Sequence, residues 1–286
     1  VLVANSGAAT VSTLLNSTAQ ASLIGGTGND TYVIHNALDK IVENSGGGTD
    51  SVQTDLSMIT LPDNVESLTY TGSGSASVFI ANGSHTLAAT NISTFQMENS
   101  VLATQNVLTL SNPASNASVF GTTRIDDTLN LATGSNSVTV SGVDSIIGGT
   151  GADTITVNSG SVTFSGGGGA DVIKLNSGTD VIHYGATSEI GGGATINNFT
   201  HLTDKIDFTG SAFGSLGAGN LAEALGTDSG GHAVTGSHFV YDGASGTLYF
   251  NSAADNITAH STAIATIHSD SGATSANLSA ADIHIS

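Results

Sequence analysis

Carboxylates recur at matched places behind clusters of glycine in this chain. Gly-Gly-Thr-Gly-Asn-Asp occupies 25–30, Gly-Gly-Thr-Gly-Ala-Asp occupies 148–153 and Gly-Gly-Gly-Gly-Ala-Asp occupies 166–171. Glycines permit positive φ and expose backbone carbonyls, and each aspartate adds a charged oxygen, so the chemistry on offer is coordination of a hard cation. Weaker copies hold the phase: Gly142, Asp144 and Ile146 precede the second cluster, and Gly178, Asp180 and Ile182 follow the third. Gly134, Asn136 and Val138 fit the same template, whereas 157–165 carries Val162 where an acid is expected. That turn is expected to be poor in metal. Glycine-rich loops without a metal are the plainer alternative.

Acid–base catalysis is a weaker reading of the same residue types. Asp126 and Asp127 are adjacent, but neighbouring residues of a strand point to opposite faces, so they make a poor general acid and base. No His-Glu-x-x-His zinc site occurs, the nine histidines are scattered singly, and Gly72-Ser73-Gly74-Ser75 and Gly134-Ser135-Asn136 do not complete a nucleophile elbow. No catalytic residue is assigned, and the chain is expected not to be an enzyme.

The elements that must position the aspartates are short strands. Tyr32, Ile155, Ile173 and Ile182 follow the glycine turns and should point inward as a thin core. Between 72 and 130 the glycine–aspartate turns lapse, but Val78-Phe79-Ile80, Val107-Leu108-Thr109-Leu110 and Thr128-Leu129-Asn130-Leu131 keep a strand-like pattern, with Phe95 and Met97 expected in the core. Helix is expected only at 221–225.

Composition narrows the class. The 286 residues include 37 glycines and two prolines, with 5% aromatic residues, which favours turns and strands. Twenty-three acids face four basic residues, a formal charge of −19 that argues against nucleic acid and anionic membranes as partners. Such an acidic excess is also what a solvated surface would give. Cysteine is absent, so neither disulfides nor thiolate-bound zinc can staple the fold, and calcium is the natural substitute. Apolar runs are too short for a membrane span. Val1 carries neither an initiator Met nor a signal peptide, so a processed or excised part is expected.

The three full glycine–aspartate copies match G-G-x-G-x-D-x-U-x, and on them the chain resembles the RTX, or hemolysin-type, calcium-binding proteins exported by type I secretion. The resemblance extends through Asp39-Lys40-Ile41-Val42-Glu43-Asn44, Gly46-Gly47-Gly48-Thr49-Asp50 and Leu61 to Tyr70, with His35 where an acid often stands. It implies an all-β fold, a right-handed parallel β-roll or β-solenoid with calcium in the turns and a C-terminal β cap. Two nonapeptides would make one coil, placing Asp153, Asp171 and Glu189 along one unbroken edge and Asp144, Val162 and Asp180 along the other. Stacked coils about 4.8 Å apart and calcium–oxygen bonds of about 2.4 Å are compatible. The implied calcium ligands are Gly25, Thr27, Asp30, Asp39 and Asp50 in the first part. In the second they are Asp144, Gly148, Thr150, Gly151, Asp153, Gly166, Gly168, Gly169, Asp171, Asp180 and Glu189, with Asp204 and Asp207 at a terminal ion.

Four segments follow: 1–83 as an N-terminal RTX solenoid, 84–130 as degenerate rungs, 131–208 as the calcium roll, and 209–286 as a cap with a type I secretion signal. The hairpin of the cap is expected at His238 to Asp242 and Gly246 to Phe250. The implied function is an extracellular calcium-binding structural protein, an S-layer, matrix filament or adhesin, secreted or held at the cell surface. Its partners would be further copies in a filament or lattice, the type I machinery and cell-surface polysaccharide. The alternative is the C-terminal calcium-binding module of a larger secreted hydrolase or toxin. Carbohydrate or ice binding by a flat threonine face ranks last, because no regular threonine array is evident along the chain.

Overall fold

A computed structural model describes the whole chain except residues 5, 15–17, 82, 89, 98–104, 123–125, 222–224, 229–233 and 270–276. The chain divides into two compact units, Val1–Ala132 and Thr133–Ser286. Each is a parallel β-solenoid, with short strands laid rung upon rung and almost no helix.

In the first unit one wall runs in the order Thr10–Ser12, Thr31–Ile34, Ser51–Thr54, Ser67–Tyr70, Gly83–Leu87, Gln105–Leu110 and Asp126–Asn130, all parallel. The facing wall is in two pieces. Leu2–Val3, Ser22–Ile24 and Lys40–Val42 form a small sheet, while Met58–Leu61, Ala76–Ile80, Ile92–Met97 and Ala117–Phe120 pair in sequence. Alternation fills the interior: Val11, Tyr32, Val52, Leu68, Leu87 and Leu110 share one register column and are buried. Facing them, Ile59, Val78, Phe95 and Val119 share another. Each such side chain contributes about 1.5–3 kcal/mol by leaving water.

The outward residues of that first wall are hydroxylic. Thr10, Thr31, Ser51, Ser67, Thr86, Thr109 and Asn130 stand in one column. Thr31 and Ser51 are joined by a 3.1 Å hydrogen bond, and Asn130 donates to Thr109 Oγ1 at 3.0 Å. A column of mixed Thr and Ser hydroxyls ending in Asn130 therefore exists, which the search for a threonine array does not find. The step between rungs varies, for example 16 residues from 51 to 67 and 23 from 86 to 109, and this hides it from a search at fixed period.

In the second unit Ser145–Ile147, Thr163–Ser165, Val181–Tyr184, Lys205–Phe208 and Ile283–Ile285 are parallel rungs of one wall. Ser137–Ser141, Thr154–Ser159, Val172–Lys174, Ala194–Phe199 and Ser261–Ser269 form the other. Two isoleucine-rich columns fill the space between: Val138, Ile155, Ile173, Ile196 and Ile267, and Ile146, Phe164, Ile182, Ile206 and Ile283. The C-terminal cap appears as expected: Phe239–Asp242 and Thr247–Asn251 make an antiparallel hairpin that continues onto Ser261–Ser269. Phe208, Phe213, Phe239 and Phe250 pack there, with ring centroids 4.5–5.6 Å apart.

Helical structure among the described residues is limited to three 3-10 turns, Thr187–Glu189, Thr258–His260 and Ala280–Asp282. Most of the helix expected at 221–225 lies outside the described residues. No helix among them is long and apolar enough to cross a membrane.

Candidate metal centre

The aspartates that follow the glycine turns stand just before a strand, at the rim of the solenoid, and each does the same thing. One oxygen reaches to the neighbouring coil and accepts a backbone N–H there. Asp153 Oδ1 accepts from Asn136 at 2.7 Å, Asp171 Oδ1 from Asp153 at 3.0 Å, Asp180 Oδ1 from Val162 at 2.9 Å, and Asp204 Oδ1 from Asp180 at 3.0 Å. In the first unit Asp30 Oδ1 accepts from Ala9 at 2.8 Å, Asp50 Oδ1 from Asp30 at 2.7 Å, Glu66 Oε2 from Asp50 at 2.7 Å, and Asp39 Oδ1 from Ala21 at 2.8 Å. These bonds run between residues 16 to 24 apart and fix the stacking of one coil on the next.

The second oxygen is the informative one. Oδ2 of Asp50, Asp153 and Asp180 is buried and accepts no hydrogen bond, although the three residues are no more than 1% exposed. A buried carboxylate oxygen without a donor costs free energy unless it is protonated or meets a cation. Burial pushes Asp171 up to about 6, reinforced by the charge of Asp153 and only partly offset by the Asp153 amide. It also raises Asp153, against hydrogen bonds from Asn136 and the pull of the Gly149 amide, and Asp180, against the amides of Val162 and Asn176.

The glycine turns supply neutral oxygens beside these acids. Gly134 donates to Thr150 O at 2.7 Å, Gly151 to Gly168 O at 3.1 Å, and Gly7 to Thr27 O at 2.6 Å, so each carbonyl keeps a second lone pair. The turns approach closely enough that only glycine fits. A Cβ on Gly148 would stand 2.0 Å from Gly166 O, and one on Gly169, at φ +128°, would stand 2.1 Å from Gly151 O. Gly25 is confined by a side chain instead: its Cβ would meet Glu43 Oε2 at 1.8 Å.

Glu43 belongs to the tightest acidic cluster among the described residues. Oxygens of Asp30, Glu43 and Asp50 lie within 4.8 Å of one another, two of the three residues being buried. Tyr32 donates its hydroxyl to Glu43 Oε2, and Asn44 N donates to Oε1 at 2.9 Å. Burial, then the charges of Glu43, Glu66 and Asp30, raise Asp50 against the Asp30 amide. Three carboxylates so placed repel one another unless protons or a cation intervene, and an all-oxygen set suits calcium.

Several expected ligands sit elsewhere. Glu189 does not continue the Asp153–Asp171 edge: Val172 pairs with Thr195, so Ala194 holds the next rung position, and Glu189 Oε2 accepts from Gly185 N at 2.9 Å. Asp144 is exposed. Val162 gives its backbone amide to Asp180 but, having no carboxylate, offers no acceptor to the coil before it. Both Asp204 oxygens accept amides, from Asp180 and from Thr200 at 2.7 Å. Asp207 points outward from its strand, between His183 Nδ1 at 2.6 Å and His284 Nδ1 at 2.5 Å. Burial alone would raise Asp207, but hydrogen bonds from His284, His183 and Ser286 outweigh it and hold its carboxyl below the ordinary value. Glu43 and Glu66 were not among the expected ligands. Their signal was position, since Glu66 precedes Ser67 as Asp50 precedes Ser51, and Glu43 opens a turn where Gly25 opens the previous one.

The raised carboxyls give a pH dependence with a definite sign. Folded values above the unfolded 3.8 mean that folding favours the protonated acids, so their stabilising contribution is present at low pH and lost as pH rises, for Asp171 through about 6. In chelator, the thermal midpoint should therefore fall between pH 5 and pH 7. Asp171→Asn should flatten that slope, as read by circular dichroism melting at each pH.

No family model matches the chain, and no solved structure does. Over 59 residues, 21% of the chain, it is 41% identical to the endo-1,3-1,4-beta-glycanase ExsH of Rhizobium meliloti (strain 1021), and the match takes in 12% of that protein's length. This similarity overturns the expectation that the chain is no enzyme, an expectation that rested only on missing motifs. Hydrolase character has to be tested directly.

Proposed function

We propose that this chain is an extracellular RTX-type module that calcium folds into its solenoid, and that it serves as a structural element of a secreted or cell-surface protein. The observation that carries the reading is the repeated rim carboxylate, with one oxygen bonded to the neighbouring coil and the other buried without a donor. Calcium would supply the missing partner for Asp50, Asp153 and Asp180, with carbonyls of the glycine turns and Glu43 completing oxygen sets. When calcium is scarce the acids of a chain with net charge −19 repel and the solenoid is poorly stable; when calcium is plentiful, binding free energy becomes folding free energy. That linkage suits a protein exported unfolded and folded outside. A solenoid wall with open ends also suits repeated contacts between copies, as in an S-layer, filament or adhesin.

A second reading is favoured by the glycanase match: the chain is the calcium-binding module of a larger secreted hydrolase. Electron microscopy of the purified chain during a calcium titration after EDTA separates the two, together with a reducing-sugar assay on a mixed-linkage β-glucan. Ordered filaments or sheets that grow in with calcium support the structural role. Dispersed particles, or sugar release, support the hydrolase reading and set the first aside.

A further inference from the structure

In the first unit, the wall opposite the one that carries the hydroxyl column is interrupted. Lys40–Val42 ends its three-stranded sheet, Met58–Leu61 ends the next one, and the two edges are not paired with each other. The opposite wall runs on without a break through Thr31–Ile34, Ser51–Thr54 and Ser67–Tyr70. Backbone alternation makes both edges available. Lys40 donates to Ala21 O and Val42 O accepts from Gly25, so the amide and carbonyl of Ile41 turn away from Ser22–Ile24. Across the break, Ser77 donates to Ser57 O and Ala81 to Leu61 O, which turns the backbone groups of Met58 and Thr60 toward the opening. A cavity of about 220 Å3 lies here, lined by Ile34, Leu56, Met58, Ile59 and Thr60 with Asn36, Ala37 and Asp39. Leu38 and Met58 are exposed, at 61% and 65%. Asp39 spends Oδ1 on Ala21 N, and its Oδ2 is buried with no hydrogen-bond partner.

We propose that this break is a docking groove for an extended basic peptide, which lies along the free strand edges and pairs a lysine or arginine with Asp39. The lining decides the class of ligand. One carboxylate, with the neutral oxygens of Asn36 and Thr60, among isoleucine, leucine and methionine offers fewer oxygens than the six to eight that calcium takes, and it suits an alkyl chain ending in a cation. Unpaired strand edges recognise extended backbone, and side-chain pockets add selectivity. With four basic residues against 23 acids, this chain is poorly suited to supply such a basic segment itself.

The test uses the full chain in saturating calcium and 0.15 M salt, where the Debye length is about 8 Å and diffuse attraction to the acidic surface is screened. Fluorescent peptides Thr-Val-Lys-Val-Thr, Thr-Val-Nle-Val-Thr and Thr-Val-Glu-Val-Thr are compared by anisotropy. The lysine peptide should saturate and bind at least tenfold tighter than the norleucine peptide. The glutamate peptide should not bind, and alternate N-methylation of the lysine peptide should abolish binding. Asp39→Asn keeps an acceptor for Ala21 and should remove the lysine preference. Absence of saturable binding, or a lysine preference that survives Asp39→Asn, overturns the proposal. Photocrosslinking of the lysine peptide to the unmodified chain gives a readout that does not depend on the variant folding. Labelling within 36–41 and 56–60 is expected, and labelling elsewhere overturns the assignment.

Discussion

Replacing Asp153 and Asp180 together by asparagine should move the thermal midpoint in opposite directions with and without calcium. In chelator the double variant should melt higher than the parent, because asparagine keeps the Oδ1 that accepts from Asn136 or Val162 and removes a buried charge whose second oxygen has no donor. In millimolar calcium it should melt lower, since two anionic ligands are gone. A tenfold to hundredfold loss of affinity at each site removes about 1.4–2.7 kcal/mol per ion from the folded state at saturating calcium. A ladder that served only to tie coils together would give a shift of the same sign in both conditions. Scanning calorimetry of parent and variant in EDTA and in calcium distinguishes the cases, and equal shifts would remove these residues from the metal centre.

Gly169→Ala should be among the most damaging single methyls in the second unit. Its Cβ would stand 2.1 Å from Gly151 O, a backbone atom that cannot swing aside, at φ +128°, which side chains rarely adopt. The turn would have to move off its neighbour, where Gly151 now donates to Gly168 O at 3.1 Å. Strain and the loosened stacking together should cost about 3 kcal/mol or more. Gly193→Ala is the control: φ is +80° but nothing lies within 4 Å of the new carbon, so only the backbone term of about 1 kcal/mol should appear. Calcium affinity should fall with Gly169→Ala and hold with Gly193→Ala. Similar losses for both would mean that conformation, and not the close approach of stacked turns, accounts for the glycines.

The sequence announces the fold wherever one rung repeats the next at constant length. Ile155 and Ile173 follow turns that differ only at Thr150 and Gly168 between the first glycine and the aspartate, 18 residues apart, and they stack in register as that spacing demands. Legibility fails where a coil lengthens or shortens. Glu189 lies 18 residues beyond Asp171, but the loop before Ala194–Phe199 is five residues longer (172 to 195 is 23 against 18), so the acid falls into a 3-10 turn and Ala194 takes the rung. The hydroxyl column is hidden in the same way. Asp207 departs from the expected ligand set for a different reason: a carboxylate inside a strand, between Ile206 and Phe208, must face outward when they face in, and there it meets His183 and His284. Asp126 and Asp127 obeyed that rule as read, the first exposed and the second buried against Asn106. Glu43 was overlooked because a glutamate replaces the glycine that usually opens the turn, and only the packing brings it to Asp30 and Asp50. The break between Val42 and Met58 leaves no mark in the sequence, since Ile41 and Ile59 keep the inward pattern and the 18-residue step.

Partially satisfied rim carboxylates on both edges of a solenoid give a simple physical account of why such a chain would need calcium. Coils are stacked by hydrogen bonds that any pH above the carboxyl range sustains, but at the cost of burying charge that those bonds only half compensate. Far-ultraviolet circular dichroism of the purified chain, carried from EDTA to millimolar calcium at pH 7 with a thermal melt at each step, tests this most directly. Expected are a weakened β spectrum with a low midpoint in EDTA, a cooperative gain of β signal with calcium and a midpoint that climbs with calcium concentration. The same β content and the same midpoint in EDTA as in calcium would contradict it.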